Sequence, residues 1–290
     1  MPAKPSASQA PTELGTAPDD YARRFGGITR LYGEPAAAHI RRMHVCVVGL
    51  GGVGSWAAEA LARTGIGALT LIDYDTVCPS NVNRQLHALD GSFERKKLAV
   101  MAERIQAIHP GCRITALDDY LTTRNLADYL APGRDYTCVL DAIDSIAFKA
   151  AMIAHCRRWK IPIVTTGGAG GLTDPTRIQV KDLSRTWNDP LAAKVRARLR
   201  AHHGFPRNPK RYFGVDCVFS TEQHRYPRPD GTVGHSKPGI CGVSLDCRMG
   251  YGAVSFVTAA FGLVAAARVV EKGLRRMARQ TQASGDVRRD

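Results

Sequence analysis

The 290-residue sequence predicts an α/β fold, a Rossmann-like, doubly wound and mostly parallel sheet with a glycine loop for a nucleotide, extended at its C-terminal end by basic and apolar helices. Three observations predict it. Residues 43–75 read as one strand, glycine turn, helix and second strand. Short apolar runs then alternate with segments of helical periodicity as far as residue 165, and an acidic residue closes the second strand.

The first strand is Val45, Cys46, Val47 and Val48, apolar enough to be buried on both faces. Gly49, Gly51 and Gly54 then fit G-x-G-x-x-G, with Gly52 as a further glycine. Such a turn lets the backbone approach a polyphosphate without a Cβ in the way, and it aims the N-terminus of the next helix at the negative charge. Ser55 is placed to cap that helix; Ala57, Ala58, Leu61 and Ala62 give it a small-residue face, and Gly65 ends it. After a second strand at 68–72 comes Asp73, nineteen residues past Gly54, where a carboxylate can accept from ribose hydroxyls. A ligand-free glycine turn shares the local pattern, but strand, helix and distal acid in register favour a nucleotide.

Residues 1–20, rich in Pro, Ala, Ser and Thr, read as a disordered tail. In 21–33, Arg23, Arg24 and Arg30 surround two glycines, as a solvated basic segment or as an arm that contacts an anion, and a short helix follows through Ile40. The loop at 75–85 ends in Asn81, Asn83, Arg84 and Gln85. Loops leaving the carboxyl ends of parallel strands overhang the ligand crevice, which brings Arg84 within reach of a phosphate. Lys96 and Lys97 open a helix with Leu98, Met101, Ile105 and Ile108 at helical spacing. A cation beside the positive end of a helix dipole is unfavourable, and a nearby phosphate would explain it. Strands at 114–117 and 137–140 follow, the second running into Asp141 and Asp144. Two carboxylates there suit Mg²⁺; alternatively Asp144 caps the helix at 145–159. A strand at 161–165 and a glycine crossing at 167–171 lead to 177–181.

The helix at 189–204 has an N-cap Asp189, a Pro at its first position and apolar Leu191, Val195 and Leu199. Lys194, Arg196, Arg198 and Arg200 occupy its other faces, with Arg207, Lys210 and Arg211 beyond, as a solvated face or a surface for RNA phosphates. Another strand is expected at 214–220 and a Pro/Gly-rich loop at 226–239. Cys241 and Cys247 lie in a glycine-rich stretch, where a thiol is either reactive or merely packed. Residues 249–267 carry no charge over nineteen positions, near the ~20 that a membrane span needs. Glycines and hydroxyls dilute this run, so a buried or dimer-interface helix is expected in preference to membrane association. The basic end at 272–279 suits RNA or an acidic lipid.

Across the chain, 40 Lys and Arg stand against 26 Asp and Glu, a balance of +14 that serves solubility or a polyanionic partner such as RNA. Eight scattered cysteines without a secretory leader imply reduced thiols in the cytoplasm, and the lack of any C-x-x-C pair argues against zinc. The expected organisation is a tail at 1–20, a nucleotide-binding adenylating domain at 21–185, and a basic, tRNA-facing segment with a C-terminal helix at 186–290 that completes the same fold.

With these residues assembled, the chain resembles the ubiquitin-activating-enzyme-like adenylating superfamily, and within it the branch that dehydrates N6-threonylcarbamoyladenosine in tRNA. The resemblance covers about 25–270 and rests on RFGGITRLYG, GLGGVGSWAAEALARTGIGALTLID, NVNRQ, DAIDS, PIVTTGGAGG and VDCVFS. It implies an enzyme that uses ATP and Mg²⁺, with a monovalent cation (Na⁺ or K⁺) and no zinc. It implies a homodimer acting on tRNA that carries N6-threonylcarbamoyladenosine, with a cysteine desulfurase or sulfur acceptor as a further partner. Carried over by motif, Gly49, Gly51, Gly52 and Gly54 line the ATP phosphates, and Asp73 holds the ribose. Asn81 and Arg84 contact ATP, Lys97 steadies the departing pyrophosphate, and Asp144 is the Mg²⁺-linked aspartate. Arg30, with Arg24 as the alternative, reaches into the neighbouring subunit's site, and Cys247 matches a cysteine near the centre. Rival readings are an enzyme that activates the C-terminus of a small sulfur-carrier protein, an NAD-dependent oxidoreductase, and a non-catalytic tRNA-binding or sulfur-relay scaffold.

Overall fold

The computed structural model describes residues 18–236 and 252–286. Seven strands form one sheet: β1 (His44–Val48), β2 (Ala68–Asp73), β3 (Arg113–Asp118), β4 (Cys138–Asp141), β5 (Ile163–Thr166), β6 (Ile178–Asp182) and β7 (Asp216–Ser220). Their order is β3-β2-β1-β4-β5-β7-β6, with every neighbouring pair parallel apart from β6 with β7. The expected doubly wound α/β architecture is present. Val45 pairs with Leu69 on one side of β1 and with Cys138 on the other, so the chain switches direction at β1 and opens a crevice beyond its carboxyl end. β8 (Tyr226–Pro227) and β9 (Val233–Gly234) make a short antiparallel pair inside the loop expected at 226–239.

Helices cover both faces, which is why β1 and β2 are almost uniformly apolar and buried. On one face α3 (Gly54–Arg63), α4 (Lys97–Ile108) and α8 (Ser255–Asp286) share a core that includes Leu61, Met101, Val257 and Phe261. On the other, α6 (Ile146–Arg158) and α7 (Pro190–His202), with the short α5 (Leu126–Tyr129) beside them, cover Val48, Ile163 and Phe219. α8 buries Val257, Phe261, Ala265, Ala266, Val269 and Val270. From Ser255 onward the uncharged run therefore belongs to a helix with one buried face, and no helix among the described residues is long and apolar enough to cross a membrane. Six cysteines fall among the described residues; none is bridged, and burial pushes the Cys46 and Cys138 thiols up to about 12.

The N-terminal region departs from expectation. α1 (Pro18–Tyr32) begins inside the segment read as a tail and runs straight through Gly26 and Gly27; α2 (Glu34–Arg42) follows. Two glycines cost a helix about 2 kcal/mol relative to alanine, and tertiary packing offsets that cost here. Phe25 is buried with its ring 4.8 Å from that of His109, and the Tyr21 hydroxyl donates to the Gly65 carbonyl at 2.9 Å. Ser55 is not a cap either. The N-cap of α3 is Val53, and the Ser55 hydroxyl donates to Gly51 O at 2.7 Å and accepts from Leu86 N–H at 3.3 Å, tying the glycine turn to the loop after β2.

α8 lies unusually close to α3 because position 262 has no side chain. A Cβ there would meet Val53 O at 2.5 Å and Trp56 Cβ at 2.8 Å. In an open helix Gly→Ala gains about 1 kcal/mol; here Gly262→Ala is expected to lower the thermal midpoint, and Gly262→Val to cost about 1–3 kcal/mol through overpacking, both read by calorimetry.

Candidate nucleotide site

The crevice is assembled by three loops at the carboxyl edge of the sheet. The turn after β1 starts with Gly49 at φ 88°, and a Cβ on Gly54 would fall 1.8 Å from Gly49 O, so α3 can begin here only with glycine. Leu50 N–H donates to Asp73 Oδ2 at 2.6 Å, and Asp75 N–H donates to Asp73 Oδ1 at 2.8 Å. Burial pushes the Asp73 carboxyl above its usual range, while the Leu50 amide and the Lys97 charge pull it back. Asp73 therefore braces the turn through both of its carboxylate oxygens.

Residues 75–77 pair with 94–97, and this pairing places the first residue of α4 beside the end of β2. Lys97 is 4% exposed, and its Nζ lies 2.7 Å from Asp75 Oδ2. The cation at the helix start thus has a protein counter-charge, a partner that the local sequence pattern does not disclose. Arg84 lies across the turn: its carbonyl accepts from Trp56 Nε1 and Thr258 Oγ1, each at 3.1 Å, and its Nη1 donates to Ser80 O at 2.8 Å. Space around Gly52 is bounded by Thr258 and the Arg84 stem. Asn81 is buried, its carboxamide oxygen accepting from Cys78 N–H at 3.1 Å to close a 3-10 turn.

The loop after β4 gives its two acids different roles. Asp141 is fully buried, 2.9 Å from Lys149 Nζ, and accepts from Thr165 Oγ1 at 2.6 Å. It is therefore committed inside the protein, which corrects the expectation that both carboxylates face Mg²⁺. Asp144 is exposed and makes no hydrogen bond or ion pair among the described residues. It does not cap α6, whose N-cap is Ser145 with no side-chain capping bond. A hydrated divalent cation needs one or two carboxylates plus phosphate oxygens and water, and Asp144 fits that requirement. Among the described residues no group of three or more His, Cys, Asp or Glu is placed to hold a metal ion. Arg30 sits exposed in the last turn of α1 without an ion pair among the described residues, whereas Arg24 pairs with Asp20 and donates to Ile108 O. Cys241 and Cys247 lie outside the described residues.

Sequence reasoning missed Lys149 and His87. Lys149 interrupts the apolar run AFKAAMI, a signal that a cation sits on an inward face. Its Nζ also donates to Ile143 O at 2.9 Å, so it holds the 141–144 loop against Gly49. His87 is 1% exposed, and burial followed by the Lys97 charge lowers its pKa to about 4.

A profile of the ThiF family matches residues 21–284. The chain belongs to the ThiF family. It is 56% identical over 263 residues to the tRNA threonylcarbamoyladenosine dehydratase of Escherichia coli K12, covering 90% of this chain and 97% of that protein. It is 37% identical to the Bacillus subtilis protein of the same name, covering 82% and 89%. The solved structure of the E. coli dehydratase in complex with ATP superimposes with a TM-score of 0.80 at 52% identity, over 90% of this chain and 98% of that one.

Two outcomes are expected. Lys149→Met leaves a buried carboxylate unpaired and should cost about 3–5 kcal/mol, much of which Asp141→Asn in the same chain restores; denaturant unfolding of the single and double variants checks this. His87 is held neutral in the fold, so its contribution to stability is intact above pH 6.5 and is lost as pH falls toward 4. His87→Gln should flatten the fall of the thermal midpoint across that window.

Proposed function

We infer that this ThiF-family chain is an ATP-dependent tRNA threonylcarbamoyladenosine dehydratase, which adenylates the side-chain carboxylate of N6-threonylcarbamoyladenosine and lets the modification cyclise. Its carboxylate attacks the α-phosphate, a P–O bond forms, and pyrophosphate leaves. A neighbouring group of the same modification then attacks the activated acyl carbon and expels AMP, so the net change is loss of water. Ring closure is intramolecular and needs orientation more than a protein nucleophile.

The observation that carries this reading is a pair of cations, Arg84 and Lys97, set around one glycine turn. A dinucleotide held by turn amides does not require them. In this reading the amides of Gly49–Gly54 and the Arg84 guanidinium receive the phosphates, and Asp73 accepts from the ribose while bracing Leu50. Lys97 exchanges its bond to the half-exposed Asp75 for the departing pyrophosphate. Asn81 lines the same loop. Mg²⁺ bound at Asp144 would neutralise phosphate charge as a Lewis acid. The exposed Lys194 and Arg198 of α7, with Arg207, Lys210 and Arg211 beyond it, offer a surface for the tRNA backbone. The assembly is a homodimer in which Arg30 enters the partner's site.

Pyrophosphate release should require both ATP and modified tRNA, and the cyclised nucleoside should appear by mass spectrometry. Lys97→Ala is expected to lower turnover by about 10²–10³, as for loss of a donor to developing charge, and Asp144→Ala to suppress it and change its Mg²⁺ dependence. Turnover unaffected in both would refute the assignment. If Arg30 acts across the dimer, mixing inactive Arg30→Ala and Lys97→Ala proteins should restore activity by forming hybrids with one intact site.

A further inference from the structure

At the opposite edge of the sheet, where β5 and β7 begin, lies an open cleft of about 510 Å³ bounded by the end of α6, the start of β7 and the C-terminal half of α8. It is far from the glycine turn, which sits at the carboxyl ends of the strands. Arg157 and Lys160 form one wall, with the Arg157 guanidinium against the backbone of Gly214. Arg268, Lys272, Arg275, Arg276 and Arg279 form the other. Asp216 pairs with Arg268 at 3.0 Å and Lys272 at 2.6 Å, and Glu271 pairs with Arg268 and Arg275. Seven cations thus face two carboxylates, a net charge of +5, and no carboxylate pairs with Arg157, Lys160, Arg276 or Arg279 among the described residues.

The arrangement is linear. Positions 268, 272, 275, 276 and 279 share one face of a helix and run for about 16 Å along it. One compact phosphate does not need a stripe of that length, whereas successive phosphates of a strand do. A flat lipid headgroup layer does not enter a cleft between two walls; a sugar-phosphate chain does. The chain that leaves α7 reaches the cleft at Gly214. That helix starts at the carboxyl edge, where Asp189 accepts from Gly168 N–H at 3.0 Å, and its chain returns to the amino edge through Arg207, Lys210 and Arg211 to enter β7. Tyr212 lies exposed on that return, its ring capped by Arg185 at 4.6 Å.

We propose that this amino-edge cleft is a second RNA site that grips the phosphate backbone of the tRNA at a distance from the reacting nucleotide. The inference rests on the dehydratase reading. Phosphates along α7 and then in the cleft would be neutralised in sequence, with release of their counterions, so the far end of the substrate contributes affinity without touching the chemistry.

The test is fluorescence anisotropy of full-length modified tRNA on the whole enzyme over a salt series, comparing wild type with Arg276→Glu/Arg279→Glu and with Lys160→Glu. All three side chains are exposed, so the core is untouched. The double variant should bind about tenfold or more weakly near physiological salt, with a slope of log affinity against log salt shallower by about 2, one unit for each phosphate that is no longer neutralised. Lys160→Glu, on the opposite wall, should make the slope shallower by about one unit. Affinity and slope equal to wild type in both variants overturn the proposal. So does loss of binding to phosphatidylserine vesicles with tRNA binding intact, which would assign the stripe to anionic lipid. Wild-type enzyme that neither binds nor turns over modified tRNA defeats the dehydratase reading itself, whereas active wild type with unaffected variants defeats this inference alone.

Discussion

The backbone after β1 closes so tightly that the α-carbon of Gly54 abuts the carbonyl of Gly49, and the rest of the carboxyl edge is arranged around that closure. Leu50 reaches Asp73 because of it, so β1 and β2 are joined by a side chain as well as by their ladder. A Cβ on Gly49 would meet Ile143 and Ala142 of the loop after β4 at 3.0 and 3.1 Å, and one on Gly52 would meet Thr258 and Arg84 at 3.3 and 3.4 Å. A larger residue at either glycine would push these loops outward together. The site is therefore one packed unit rather than a set of independent contacts, which is what preorganised binding of a charged ligand demands.

Two lysine–aspartate pairs in this region behave oppositely because of burial. Lys97 is hidden but its partner Asp75 is 44% exposed at the side chain, so water can solvate the carboxylate when the ammonium turns to another anion. Lys149 and Asp141 are 2% and 0% exposed, and neither can leave without stranding a charge in low dielectric. The first pair is suited to exchange partners; the second holds the 141–144 loop in place.

Much of the fold was legible because strands buried on both faces must be apolar throughout, and the runs at 45–48 and 68–72 have no other plausible use. Their ends shifted by a residue or two, since hydrogen-bonded pairing decides where a strand stops. α1 was not legible. Its glycines conceal a helix whose stability comes from Gly65 and His109, neighbours that no local window contains. That Gly49, Gly54, Asp73, Arg84 and Lys97 gather at one edge of the sheet could be read from the sequence, because the order strand, glycine turn, helix and strand decides which loops leave the carboxyl ends. The commitment of Asp141 could not, because only the fold reveals that Lys149 returns to it across a turn. Ser55 was misassigned for a related reason: a hydroxyl at a helix start caps only if its backbone is extended, and here that residue is already helical.

α8 runs 32 residues, about 48 Å. Near its beginning Thr258 walls the glycine turn, one turn later Gly262 admits α3, and past the middle Gly273 lets Met43 at the entry to β1 approach closely. The cationic stripe occupies the same stretch. Both ends of the sheet thus lean on a single late segment: a chain ending before this helix would lose the wall beside Gly52 and a large share of the core over α3 in one stroke.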